Sequence, residues 1–258
     1  MNMLSTARNY LSRFRPIISH KPSTAQSIVS DLFIWRRDST ILTYFDLLSL
    51  PSLFDDIPDS EIILYLFDAA GLLIRTHNIV VRACHKLTIC INDYLPSNSG
   101  MYGTFAIFHS YNPLSVITLK SHLTERGYVS YRSANSPLAT YVHGNYDAIS
   151  LSYDSLKLLG GTCVFRRNYN LQYCFQSDNK YHAFFVNYSI KKQHICCKLI
   201  SLCGSLLLTM SFDLDPGACF FIPFEPNMSC RLIISSRLVM SRPTVFRFRN
   251  LLSDVFHG

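Results

Sequence analysis

The sequence predicts a mainly β protein, two tandem related antiparallel β-sandwich-like units with few short helices. Three observations lead there. Only three of the 17 acidic residues are Glu (Glu61, Glu125, Glu225), and Asp favours turns and caps where Glu favours helix. The chain carries 15 Tyr and 18 Phe, which suit a pleated surface. Apolar runs of about six to ten residues alternate with turn signals, the rhythm of an antiparallel sandwich or barrel. With 48% hydrophobic and 16% charged residues in 258, the chain holds enough apolar material for a substantial core, which excludes a disordered polyelectrolyte.

Taken in order, Ile62–Phe67 reads as a strand, Asp68–Gly71 as a turn, and Leu72–Val81 as the returning strand. His85–Asn92 and Gly103–His109 are further strands around the loop Pro96–Gly100. The helical candidates are Pro113–Arg126, stopped by Gly127, and the shorter Thr43–Leu50 before Pro51. Later in the chain, Thr162–Phe165, Asn170–Phe175 and His182–Asn187 are strand candidates.

Self-similarity organises these elements. With Gly71 set over Gly204, Leu72–Ile91 lies over Ser205–Phe224, each copy leaving Gly along one strand and turning into another. The turns are Arg82–His85 and Asp215–Ala218. Upstream, ILYLFDAAG matches CKLISLCG; downstream, GTFAIFHS matches RLIISSRL, and TYVHG (Thr140–Gly144) matches DVFHG (Asp254–Gly258). The expected division is a basic arm over residues 1–27, a first β unit over 28–156 and a second over 157–258. The closing strand is expected to bury Phe256, with Val255 and His257 on the other face.

The strand-and-turn pattern is similar to immunoglobulin- or fibronectin-like sandwiches, although Trp35, the single Trp, does not stand in a Cys…Trp…Cys frame. The stretches RGYVSYRSANSPLATYVHGNYDAI and SRLVMSRPTVFRFRNLLSDVFHG resemble segments of bacterial all-β proteins of no assigned activity. That resemblance implies the fold and no function.

The net charge of +7 is concentrated early, since Arg8, Arg13, Arg15 and Lys21 precede the first acid, Asp31. This arm is Arg-containing and acid-free, as organellar transit peptides are. No dense Lys/Arg stripe signals nucleic acid, and no apolar run reaches the length of a membrane-spanning helix. Nine Cys without a CxxC pair read as buried thiols of a cytoplasmic or other reducing compartment rather than a disulfide or zinc framework.

Catalytic signatures are wanting. There is no G-x-S-x-G elbow; Gly160-Gly161 lacks the Lys-Ser/Thr of a phosphate loop; and Cys84-His85, adjacent on a strand, point to opposite faces. The carboxylates Asp55, Asp56 and Asp59, and Asp213 with Asp215, read as loop and solvent-facing groups. What stands out is an aromatic and polar segment: Tyr128, Tyr131, Arg132, Tyr141, His143, Asn145 and Tyr146. Tyr with Arg, His and Asn is the composition that stacks on sugar rings and bonds their hydroxyls. The expectation is therefore a non-enzymatic binding or assembly module for a glycan-like ligand or protein partner, with no cofactor. The alternative is a metal-dependent enzyme acting on a sugar or other small polar substrate, with a divalent metal held by His109, His143 and His257 and Asp147 as a further carboxylate.

Overall fold

The computed structural model describes residues 17–18, 20–22, 27–38, 40–49, 52, 59–82, 86–110, 124–125, 127–133, 138–144, 147–153, 155–239, 242–249 and 252–257. Of these, 66% lie in strands. In chain order they are β1 (Ile17–Ile18), β2 (Ile28–Ser30), β3 (Phe33–Arg36), β4 (Ile41–Leu48), β5 (Asp59–Phe67), β6 (Leu73–Arg82), β7 (Lys86–Cys90), β8 (Tyr102–His109), β9 (Thr124–Glu125), β10 (Tyr128–Ser133) and β11 (Ala139–His143). There follow β12 (Ile149–Ser152), β13 (Ser155–Leu158), β14 (Thr162–Asn170), β15 (Lys180–Val186), β16 (Gln193–Ser201), β17 (Leu206–Leu214), β18 (Cys219–Phe224), β19 (Cys230–Leu238), β20 (Thr244–Arg249) and β21 (Leu252–His257).

They form five small sheets, in a propeller-like arrangement, with the orders β3-β8-β5-β6, β11-β10-β4-β7, β1-β14-β19-β16-β17, β18-β15-β20-β21 and β13-β12-β2-β9. All pairings are antiparallel except β2 with β9. Strand for strand, β3-β8-β5-β6 has the same order as β14-β19-β16-β17, and β11-β10-β4-β7 the same as β21-β20-β15-β18. The hairpins β5–β6 and β16–β17 turn through Gly71 (φ 81°) and Gly204 (φ 93°), a left-handed conformation that glycine adopts without steric cost. Each hairpin also shifts register beside its turn.

Two self-contained sandwiches do not form. One buried apolar cluster runs without a break from Ile28 to Val255, and the halves meet through it. The Arg36 guanidinium, at the end of β3, lies 4.5 Å from the Phe246 ring centroid and also over Phe184 and Phe248. Tyr102 packs edge-on against Phe184 and Phe221, and Tyr131 against Phe246. The Cys219 amide donates to Ala69 O at 2.9 Å, and a Cβ on Gly71 would stand 2.6 Å from the Gly217 backbone. A fifth sheet, β13-β12-β2-β9, joins segments from both sides of the first half.

Several sequence expectations change. Thr43–Leu50 is not a helix: residues 41–48 form β4, whose alternate residues Ile41, Thr43, Phe45 and Leu47 face the core. Most of Pro113–Arg126 lies outside the described residues, but Thr124–Glu125 is strand, paired with Val29 and Ser30. Beyond Asn170, residues 171–175 leave the sheet and return only at the bridge Phe175↔Cys230. The end of the basic arm is not outside the fold, since Ile17 and Ile18 pair with Cys163 and Thr162. In β21 the buried residue is Val255, because its face is turned to the first half; Phe256 is half-buried against Tyr173 at 4.3 Å. Among the described residues no cysteine is disulfide-bonded, and no helix is long and apolar enough to cross a membrane.

Candidate functional site: an exposed tyrosine face

The sheet β11-β10-β4-β7 has one face in the core and one in solvent, and its register decides which side chains share each. Val129, Tyr131, Phe45, Val142 and Ile89 point inward and are buried. Because side chains alternate, Tyr128, Ser130 and Arg132 of β10 point outward. Beside them stand His143 and Tyr141 of β11, Asp46 and Tyr44 of β4, and Lys86 and Thr88 of β7. In the second half, the sheet in the same position covers its corresponding face, with Phe184, Phe246 and Phe248, under Arg36 of the first half. In the first half no strand among the described residues covers that face.

Four of the seven candidate binding residues therefore come together: Tyr128, Arg132, Tyr141 and His143. Tyr128 and Tyr141 are 58% and 47% exposed. Tyr131 does not join them. It faces the core, donates from its hydroxyl to Ile34 O at 2.7 Å, and has its phenol pKa raised by burial. Odd numbering on β10 puts it there. Asn145 and Tyr146 lie outside the described residues.

A groove of about 670 Å³ opens along this face, lined by Asp46, Leu48, Lys86, Glu125, Gly127, Tyr128 and Tyr141 among others. Lys86 pairs with Asp46 at 2.8 Å, and the hydrogen bond to that carboxylate raises the lysine's pKa. Thr88 Oγ1 donates to the same carboxylate. The Arg132 guanidinium stacks over the Tyr44 ring, 4.0 Å from its centroid. Burial, and then the neighbouring Cys90 thiol, push the Tyr44 phenol pKa up, so it remains a neutral ring beneath the cation. Ser130, on the same face, is fully buried among these side chains, and its hydroxyl has no hydrogen-bond partner. Behind the groove, Glu125 is held by His109 Nε2 at 2.8 Å and by the Gly127 amide at 2.6 Å.

Tyr44, Asp46, Lys86 and Glu125 escaped the sequence reading. The first two sit in ILTYFDLL, where the inward alternation of Ile, Thr, Phe and Leu was a signal that Tyr44 and Asp46 point outward together. Nothing in one sequence signals that β4 lies between β10 and β7.

The three histidines are not assembled into a metal centre. His143 and His257 approach, with ring centroids 4.8 Å apart, and His257 Nε2 donates to the His143 carbonyl at 2.6 Å. His143 Nδ1 turns to Gly144 O. His109 is committed to Glu125. Among the described residues no group of three or more His, Cys, Asp or Glu stands where it could hold a metal ion.

No family model matches this chain, and no curated protein matches it. Among solved structures, a β-glucuronidase from glycoside hydrolase family 2 is 7% identical over 87% of this chain and 24% of its own, at a TM-score of 0.16. The infectious bursal disease virus Gt strain structure is 10% identical over 93% and 69%, at 0.17. A calcium-binding mutant of Bacteroides uniformis β-glucuronidase 2 is 13% identical over 94% and 31%, at 0.16. This chain thus spans about a quarter of the length of the first of these. Scores so low carry no argument about fold or function.

Proposed function

We propose that this protein is a non-enzymatic binding module that takes a glycan-like ligand on the outer face of β11-β10-β4-β7. The observation that carries the reading is the pair Tyr128 and Tyr141, exposed on one side of an open groove with hydroxyls that make no hydrogen bond among the described residues. A tyrosine offers an apolar ring to the flat face of a sugar and a polar tip to its hydroxyls. The Asp46–Lys86 pair at the groove supplies an acceptor and donors beside the rings. The matching strand orders of the two halves support the further reading that the chain contains an internal repeat, one copy of which keeps this face free. Eight free thiols among the described residues support a reducing compartment.

The test is a glycan-array screen with the labelled full chain, followed by titration of the best ligand against Tyr128→Ala and Tyr141→Ala. Each substitution is expected to weaken binding by about tenfold, the equivalent of one aromatic stacking contact. Both variants should melt within a degree or two of the parent, because neither ring is in the core. Binding that survives both substitutions would place the ligand elsewhere.

A further inference from the structure

We infer that two copies of this chain pair through β17, edge to edge and antiparallel, about a two-fold axis at Met210. The surface belongs to the second half and is independent of the tyrosine face. β17 ends the order β1-β14-β19-β16-β17, and among the described residues no backbone group from Leu206 to Asp213 bonds to anything but β16. An unpaired edge is a template for another strand, and proteins ordinarily blunt it with charge, proline or a covering segment. From Leu206 to Phe212, β17 carries no charged residue and no proline.

The first half shows what a blunted edge looks like. β6 stands at the same place in its sheet, and the registers agree: Leu66 faces Arg75 as Leu199 faces Leu208, and Leu64 faces His77 as Cys197 faces Met210. Leu64, Leu66, Cys197 and Leu199 are all buried, so these partners lie on the core-facing side. There β6 sets Arg75 and His77 where β17 sets Leu208 and Met210, and the His77 ring lies against Tyr94. The row on β17 is apolar and incompletely covered. Leu208 is 40% exposed, Met210 and Phe212 are half-buried, and Phe212 packs on Phe220, itself 40% exposed.

The sequence of the strand selects its own copy as the occupant. Paired antiparallel about Met210, Leu208 meets the partner's Phe212, Thr209 meets the partner's Ser211, and the two methionines meet on the axis. Aliphatic against aromatic and Thr against Ser are favourable cross-strand pairs. Asp213 would meet the partner's Leu207 and is already held by His194 and Lys192, so no like charges oppose. The two-fold axis keeps both apolar rows on one face and uses up both edges, which closes the assembly at two copies.

The experiment is analytical ultracentrifugation of the full chain across the micromolar range, where a species of twice the 29.5 kDa chain mass is expected. Met210→Lys sets two ammonium groups on the axis and is expected to weaken dimerisation at least about tenfold. Two double variants test the register at exposed positions that leave the core untouched. Thr209→Glu with Ser211→Glu opposes like charges at two symmetry-related places and should weaken the dimer by a similar factor. Thr209→Glu with Ser211→Lys opposes unlike charges there and should dimerise at least as tightly as the parent. Circular dichroism melting of each variant checks that it folds. A parent that stays monomeric throughout the range would overturn the inference, as would a dimer that Met210→Lys and the double Glu variant leave intact. Equal weakening by both double variants would overturn the register, and open-ended growth with concentration would overturn the closed two-fold pairing.

Discussion

His182 shows how a single residue reports on the packing around it. Its ring lies 4.9 Å from both Phe221 and Phe248, and its Nδ1 is buried without a partner. Burial first, then the nearby Arg36 guanidinium, push its pKa down to about 4 from the ordinary 6.5. Burial likewise brings His257 down to about 4. A histidine whose folded pKa lies below its unfolded value binds a proton more weakly in the native state. The stability it lends is therefore complete above pH 6.5 and lost as the pH falls toward 4. Melting temperature is expected to drop across that window, and the drop should be smaller in His182→Leu than in the parent. Parallel pH profiles for the two proteins would mean that His182 titrates normally. In the sequence His182 is one polar residue in an aromatic run; its low pKa comes from rings and a guanidinium distant in the chain.

At the scale of elements, strands bounded by clear turn residues were legible and strands without them were not. Asp68–Gly71 marks the hairpin β5–β6, which spans nearly the expected residues. The helix expected over Thr43–Leu50 rests on Leu, Asp and Leu, which are compatible with a helix, and on Pro51, which resembles a helix stop; residues 41–48 are strand. The alternation of β4 is the better guide, and the two strands paired with it, β10 and β7, satisfy its backbone where a helix would satisfy its own. β21 illustrates the opposite limit. That Asp254–Gly258 would form a strand followed from pattern, but the buried side was misassigned, since Val255 faces β11 of the first half rather than solvent. Deleting residues 252–258 strips this strand from β20, removes the buried Val255 and exposes its partner Phe246. Burial of such side chains is worth roughly 1.5–3 kcal/mol each. The truncated protein is expected to melt at least about 5 °C lower by circular dichroism. Deleting residues 1–16 leaves β1 paired with β14 and is expected to change the melting temperature little. Similar melting for both truncations would show that β21 contributes no net packing.

For the molecule as a whole, the halves share one core. Arg36 is buried against Phe184 and Phe246 and paired with Asp38 at 2.5 Å; separating the halves would strip the rings from the guanidinium and bare the aromatic face beneath. Calorimetry is expected to give one cooperative transition whose van't Hoff and calorimetric enthalpies agree, and residues 157–258 expressed alone should aggregate or fail to fold. Two resolved transitions would show independent units. The same asymmetry makes the candidate site: one half's outer face is consumed as interface and the other's is left with Tyr128, Tyr141 and Arg132. Composition and turn spacing determined that this protein is almost all β, where its main hairpins turn, and that residues 128–143 carry an unusual density of Tyr, Arg and His. Those are local properties, set by backbone preference and side-chain period. Which strands lie side by side, which face of each sheet meets water, and which side chains from β4, β7, β10 and β11 form one groove were decided by the tertiary structure alone. Strand pairing joins residues far apart in the chain, and alternation names two faces without saying which of them the other half will cover.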